Sequence, residues 1–240
     1  MPLHETRLLR RETVAEGTMA FHFERPAGFA FEAGQNVQLT LLDPPESDSQ
    51  GPSRTFTIAS APHEPDLTIA TRMRDSAFKR TLKTVAVGLK ASIDGPNGVM
   101  VLHEDTVRPA AFLAGGIGIT PFLSMARHAA KRGLAHRIYL FYSNRRPEDA
   151  AFLDELRGLE KANPSYRFIP TMAEAEKSAR PWSGATGFIR RELLERHLPD
   201  LLSPVYYFAG PPAMTMAMQS MLSGFGVAEN DMRSEEFYGY

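Results

Sequence analysis

The chain contains no cysteine. That excludes disulfides, cysteine-ligated zinc, cysteine-ligated iron–sulfur clusters and thiol catalysis. It leaves the redox compartment open, with the cytoplasm as the default, and no metal site is expected. A basic excess is also missing. The formal net charge is −1 over 240 residues, and no long run of like charge occurs, so nothing points to nucleic acid. The opening MPLHETRLLRRE lacks the apolar segment of a signal peptide. No stretch approaches the roughly 20 apolar residues needed to span a bilayer. Internal repeats and low-complexity tracts are absent as well. The expectation is a cytoplasmic monomer without a transmembrane segment.

What is present is ordinary globular composition, 43% apolar and 23% charged. The length allows two domains of about 100–140 residues, each with its own core. The first hundred residues carry β-favouring runs at Thr18 to Phe23, Asn36 to Leu42, Arg54 to Ile58 and Leu67 to Thr71, punctuated by Pro and Gly. They predict a barrel or sandwich. Leu42 to Ser53 (LDPPESDSQGPS) reads as an exposed loop. One short helix is expected over Ser76 to Thr84.

After about Val107 the pattern changes to strand-like runs alternating with helix-like ones. AAFLAGG precedes TPFLSMARHAAKRG, RIYLFYS precedes PEDAAFLDELRGLEKA, YRFIPTM precedes FIRRELLERHL, and VYYFAGP precedes PAMTMAMQSMLSGFG. Phe122, Met125, Ala126 and Ala129 share one helical face, as do Met214, Met218, Met221 and Leu222. Such alternation predicts a doubly wound parallel sheet with helices on both faces. The boundary falls near Glu104 to Pro109, giving domains 1–106 and 107–240.

Two glycine-bearing loops stand at strand-to-helix junctions of the second domain. In the first, Gly115, Gly116, Ile117 and Gly118 lead to Thr120 and Pro121, with Thr120 placed to cap the helix and Pro121 suited to its first turn. Free N–H groups at a helix start favour a pyrophosphate. The second loop, Ala209, Gly210, Pro211 and Pro212, ends the fourth strand. First and fourth strands flank the switch point of a doubly wound sheet, so the two loops should line one dinucleotide crevice. At the end of the second strand, Asn144 and Arg145 stand where an acid often holds an NAD ribose. Arg145 would meet a phosphate there, or remain a solvated loop charge.

These residues resemble the ferredoxin–NADP reductase superfamily. Arg54-Thr55-Phe56-Thr57-Ile58-Ala59-Ser60 is similar to its flavin motif, Gly95-Pro96-Asn97-Gly98 to the turn closing its barrel, and the two glycine loops to its nucleotide and nicotinamide loops. The ending Glu235-Glu236-Phe237-Tyr238-Gly239-Tyr240 is similar to chain ends of bacterial members. The resemblance implies an N-terminal antiparallel FAD-binding β-barrel followed by a Rossmann-like NAD(P)-binding domain. It implies a flavin-dependent oxidoreductase that takes hydride from NADPH or NADH onto FAD. The electrons would pass to a ferredoxin- or flavodoxin-like protein or an oxygenase component. Small acceptors such as quinone, free flavin or iron remain an alternative, as does a regulatory subunit without turnover.

The resemblance also implies roles. Arg54 would pair with the FAD pyrophosphate, Phe56 would stack on the flavin ring, and Thr57 would reach the edge where hydride arrives, with Thr55 beside them. The backbone of Ile69, Ala70 and Thr71 would lie along the flavin. Ser76, Ala77, Phe78 and Lys79 would hold the FAD phosphates, although Lys79 is equally readable as a plain surface charge. Phe237 would cover the flavin until nicotinamide displaces it, with Tyr238 and Tyr240 as competitors, or would simply pack the final strand. Glu236 would handle protons or position the substrate. Two positions depart from the family pattern. Ala209 stands where many relatives have Cys, and Thr171-Met172 stand where NADP-specific bacterial members have Ser-Arg. NADH against NADPH stays open.

Overall fold

The computed structural model describes residues 3–237. Tyr238 and Tyr240, the competitors of Phe237, lie outside the described residues. Among those described, the strands form two six-stranded sheets, one antiparallel and one parallel.

The first sheet is built from β1 (His4–Ala15), β2 (Thr18–Glu24), β3 (Asn36–Leu41), β4 (Ser53–Thr57), β5 (Asp66–Arg72) and β6 (Lys90–Asn97), in the order β4-β3-β6-β1-β2-β5. It curls until its edges approach, and the Ala59 N–H just past β4 donates to Thr68 O on β5 at 2.7 Å. The alternate inward residues Phe21, Phe23, Leu39, Ile69 and Ile93 fill the interior. The helix α1 (Ala77–Thr84) closes one end by inserting Phe78 and Leu82 into that interior. Ser76 caps it, its Oγ accepting from the Lys79 N–H at 3.3 Å.

Two strands of this sheet carry little sequence signal. Over most of its length β1 is lined with charges, and only Thr6 and Leu8 are buried. It is a strand because it has antiparallel partners on both sides, β2 and β6. At its end β6 runs into Gly95-Pro96-Asn97, which reads locally as a turn, yet Asn97 still pairs with Asn36 of β3.

Residues 98–109 lead to the second sheet. It contains β7 (Ala110–Gly115), β8 (Ile138–Asn144), β9 (Tyr166–Met172), β10 (Ala185–Thr186), β11 (Val205–Gly210) and β12 (Met232–Glu236), all parallel, in the order β10-β9-β8-β7-β11-β12. The helices α2 (Thr120–Arg132) and α3 (Leu153–Ala162) cover one face through Phe122, Leu123, Met125 and Leu156. On the other face α4 (Arg191–His197) and α5 (Pro212–Phe225) bury Leu193, Leu194, Met218 and Leu222. The expected barrel-plus-doubly-wound architecture is therefore what the chain adopts. The strand β7 lies between β8 and β11, so successive connections leave it in opposite directions and a crevice opens at the carboxyl ends.

Among the described residues no helix is long and apolar enough to cross a membrane, and no group of side chains could hold a metal ion.

Candidate active site

The open edges of β4 and β5, the start of α1 and the end of β12 enclose a crevice of about 500 Å³. It brings together Arg54, Thr55, Phe56, Thr57, Ala70, Thr71, Ser76, Lys79, Glu236 and Phe237 from the sequence-derived set. The nucleotide loop contributes Ile117. Three expected members are not in its wall. Ile69 points into the barrel core, because strand alternation sends its neighbour Ala70 to the crevice side instead. Ala77 and Phe78 are buried too, Phe78 lying with its ring centroid 5.7 Å from that of Phe56.

The corner near α1 gathers Arg54, Arg74 and Lys79, with Asp75 beside them. Burial, followed by the charges of Arg74 and Arg54, pushes the Lys79 ammonium pKa below its usual value. The Arg54 side chain is already engaged. Its Nη1 donates to the carbonyls of Gln50, Gly51 and Ser53 at 2.9, 2.8 and 2.7 Å. Its Nη2 donates to Asp48 Oδ1 at 3.4 Å, and its guanidinium lies 5.2 Å from the Phe78 ring centroid. The other oxygen of Asp48 accepts from the Ala77 N–H at 2.9 Å.

At the opposite end, Glu235 rather than Glu236 meets the flavin-motif residues. Its carboxylate accepts from Asn36 Nδ2 at 3.0 Å and from the Thr57 hydroxyl at 3.4 Å. Burial raises its pKa, and the hydrogen bonds from Asn36 and Thr57 partly offset that rise. Glu236 has the opposite orientation along β12 and accepts from the Thr215 hydroxyl at 3.3 Å. The Phe237 N–H donates to Gly210 O at 3.0 Å, and its ring packs against the cluster of Ala20, Ala70 and Ile117.

A second crevice of about 690 Å³ opens at the carboxyl ends of the parallel strands. Gly115, Gly116, Asn144, Arg145 and Pro211 line it, as the two-loop reading expects. It shares Arg72 and Arg74 with the first crevice, so the two adjoin. Among the described residues its wall carries Arg72, Arg74, Arg145 and Arg190 and no carboxylate. Asn144 is buried there, and neither the nitrogen nor the oxygen of its side-chain amide has a hydrogen-bond partner among the described residues.

Within the loops, the roles differ from the sequence expectation. Gly116 has φ of 53°, the left-handed region that favours glycine. Gly118 is needed for packing. A Cβ there would overlap the Ala209 carbonyl and stand 2.7 Å from the Gly210 nitrogen. Thr120 does not cap α2. A tight turn over Gly116–Ile119 runs directly into the helix, and the Thr120 hydroxyl donates back to Ile117 O at 3.2 Å. Thr120 and Pro121 are both buried. Ala209 is buried as well, and Gly210 and Pro212 continue from it into α5. The side chain of Met214 fills the space over Gly115 and Gly210.

Sequence reasoning missed Asp48 and Glu235, Arg72 and Arg74 at the shared wall, and Phe188 and Arg190 in the second crevice. Arg72 follows directly on the Ile69–Thr71 run, and Glu235 precedes Glu236, so both were one residue away. Nothing local marks Asp48 or Phe188.

Comparison with known proteins follows the same lines. The family described as oxidoreductase NAD-binding domain matches residues 112–220. Ferredoxin–NADP reductase B of Sorangium cellulosum is 30% identical over 87% of this chain and 82% of its own length. The glycine betaine monooxygenase reductase subunit of Chromohalobacter salexigens is 28% identical over 98% of this chain, which spans only 64% of that longer relative. In fold, the chain is similar to a ferredoxin–NADP+ reductase from Neisseria gonorrhoeae solved with FAD and NADP. The TM-score is 0.81 at 22% identity, covering 98% of both chains.

Proposed function

The chain belongs to the ferredoxin–NADP reductase superfamily, and from that premise we propose that it takes hydride from NAD(P)H onto FAD and passes the electrons to a ferredoxin or to an oxygenase component. The observation that carries this reading is that the two crevices adjoin at Arg72 and Arg74, which line both. A donor and an acceptor of hydride must lie in contact, and adjoining crevices set two bound rings side by side.

FAD, when bound, supplies the ring that accepts hydride and returns electrons. The residues of the chain bind and orient. Residues 1–106 hold the flavin, with Phe56 against its ring, Thr57 at its reacting edge, and Lys79 and Arg54 toward its phosphates. Residues 107–240 hold the nicotinamide nucleotide. The four arginines of the second crevice suit its phosphates. Asn144 supports the same reading, since a buried amide without a partner costs about 1–3 kcal/mol unless a ligand satisfies it. Phe237, in the wall of the first crevice, excludes water from the flavin face.

The relatives support the choice of acceptor. One is a ferredoxin–NADP reductase and another the reductase subunit of a monooxygenase.

Anaerobic mixing of the FAD-loaded protein with NADH and with NADPH tests the reading. Loss of the yellow flavin absorbance with either nucleotide is expected. Arg54→Ala should purify with less flavin, because it removes a cation from the phosphate end. A chain that binds no flavin, or a bound flavin that neither nucleotide bleaches, would refute the proposal.

A further inference from the structure

The 42–52 loop is tied to the start of α1 at two points. Glu46 pairs with Arg80, at 3.1 Å from Nε and 2.7 Å from Nη2 to Oε2. Asp48 is held more closely to the crevice. Its Oδ2 accepts from the Ala77 N–H at 2.9 Å, and its Oδ1 from the Gln50 N–H at 3.0 Å and from Arg54 Nη2 at 3.4 Å.

Those two outer donors, a first-turn helix N–H and a guanidinium, are what an anionic phosphate uses. Asp48 presents a carboxylate to both. We propose that Asp48 is an internal stand-in for a cofactor phosphate, and that the 42–52 loop is a strap which must release before a flavin dinucleotide seats its phosphates against α1 and Arg54. The inference rests on the flavin reading given above.

Three observations support it. The Ala77 N–H, and after it Gln50 and Arg54, hold the Asp48 carboxyl below its usual range despite partial desolvation, so it is charged at neutral pH. A phosphate approaching the same donors meets that charge and is repelled. Arg54 is wrapped by the strap as well, with Nη1 bound to the carbonyls of Gln50 and Gly51. While those contacts persist, its donors face the loop. Lys79 and Arg74, which pair with no acid among the described residues, line the same crevice and remain to attract the incoming phosphates.

A strap of this kind gives a definite consequence. It keeps Arg54 and the start of α1 in place, and it competes with phosphate-bearing flavins only. Removing the charge should favour FAD and FMN and leave riboflavin, which has no phosphate, indifferent.

The test is to titrate wild type and Asp48→Asn, both stripped of flavin, with FAD, FMN and riboflavin, following flavin fluorescence. Circular dichroism checks that the variant is folded. FAD and FMN should bind roughly tenfold more tightly to the variant, about the value of one charge-assisted contact, while riboflavin affinity stays the same. Equal or weaker FAD binding by the variant, with wild type binding normally, overturns the strap and leaves the flavin reading standing. Failure of wild type to bind any of the three overturns the flavin reading itself. A second measurement needs no variant. Inorganic pyrophosphate should free the strap in wild type and speed cleavage after Glu46 by a glutamate-specific protease. Unchanged or slower cleavage overturns the proposal.

Discussion

The Thr57 hydroxyl donates to the Glu235 carboxylate at 3.4 Å, joining the end of β4 to β12 of the parallel sheet. Asn36 on β3 donates to the same carboxylate at 3.0 Å. Thr57 is buried, and Glu235 pairs through its backbone with Ala209, at the mouth of the second glycine loop. A carboxylate carried by the parallel sheet thus binds two strands of the antiparallel one, at the wall of the first crevice.

That carboxylate has a pH signature. Burial raises its pKa in the folded chain, so the folded state holds its proton more tightly than the unfolded chain does. Its contribution to stability is fully present below the unfolded value of about 4.3 and is lost as pH rises through the folded value. Glu235→Gln, which keeps an acceptor and cannot ionise, should therefore gain on wild type as pH rises from about 4 toward 7. Thermal melts of both proteins across that range check it. A difference in Tm that does not change with pH would show that burial leaves this carboxyl unshifted.

Gly118 makes a different demand. Because a Cβ there would collide with the Ala209 carbonyl, Gly118→Ala must push the two glycine loops apart. Overpacking of this kind costs about 1–3 kcal/mol. A fall in Tm by several degrees is expected even without nucleotide, together with weaker NAD(P)H binding. Wild-type stability with impaired nucleotide affinity would instead place Gly118 against the ligand.

Phe237 is both a crevice residue and a packing residue, since it lines the first crevice and rests on Ala70 and Ile117. If its ring occupies the place of the nicotinamide, stacking of about 0.5–1.5 kcal/mol opposes nucleotide binding. Phe237→Ala should then bind NAD+ or NADP+ more tightly, with a stronger long-wavelength charge-transfer band, while turnover falls as product release slows. Titration of the oxidised nucleotides against the flavin spectrum decides this. Weaker or equal binding with a lowered Tm would leave Phe237 a structural residue only.

Much of this was readable along the chain. Turn chemistry at Gly115-Gly116 and Gly210-Pro211, and the switch from strand-like to alternating runs near Val107, specify a barrel followed by a doubly wound sheet. These are local signals, carried by residues within one turn or one strand of each other. The helix α1 is likewise local, with Ser76 capping the N–H three residues on. Long-range pairing decided the rest. The charged segment His4–Ala15 is a strand only because β2 and β6 flank it. Glu235 and Glu236 are adjacent identical residues, and pleat alternation alone sends one to Thr57, 178 positions away, and the other to Thr215. Asp48, in a loop whose composition says only that it is exposed, reaches Ala77 and Arg54 because the curl of the sheet brings that loop over α1. Composition and periodicity are properties of neighbours in sequence. Which acid meets which donor depends on register and closure, and those exist only once the sheets have formed.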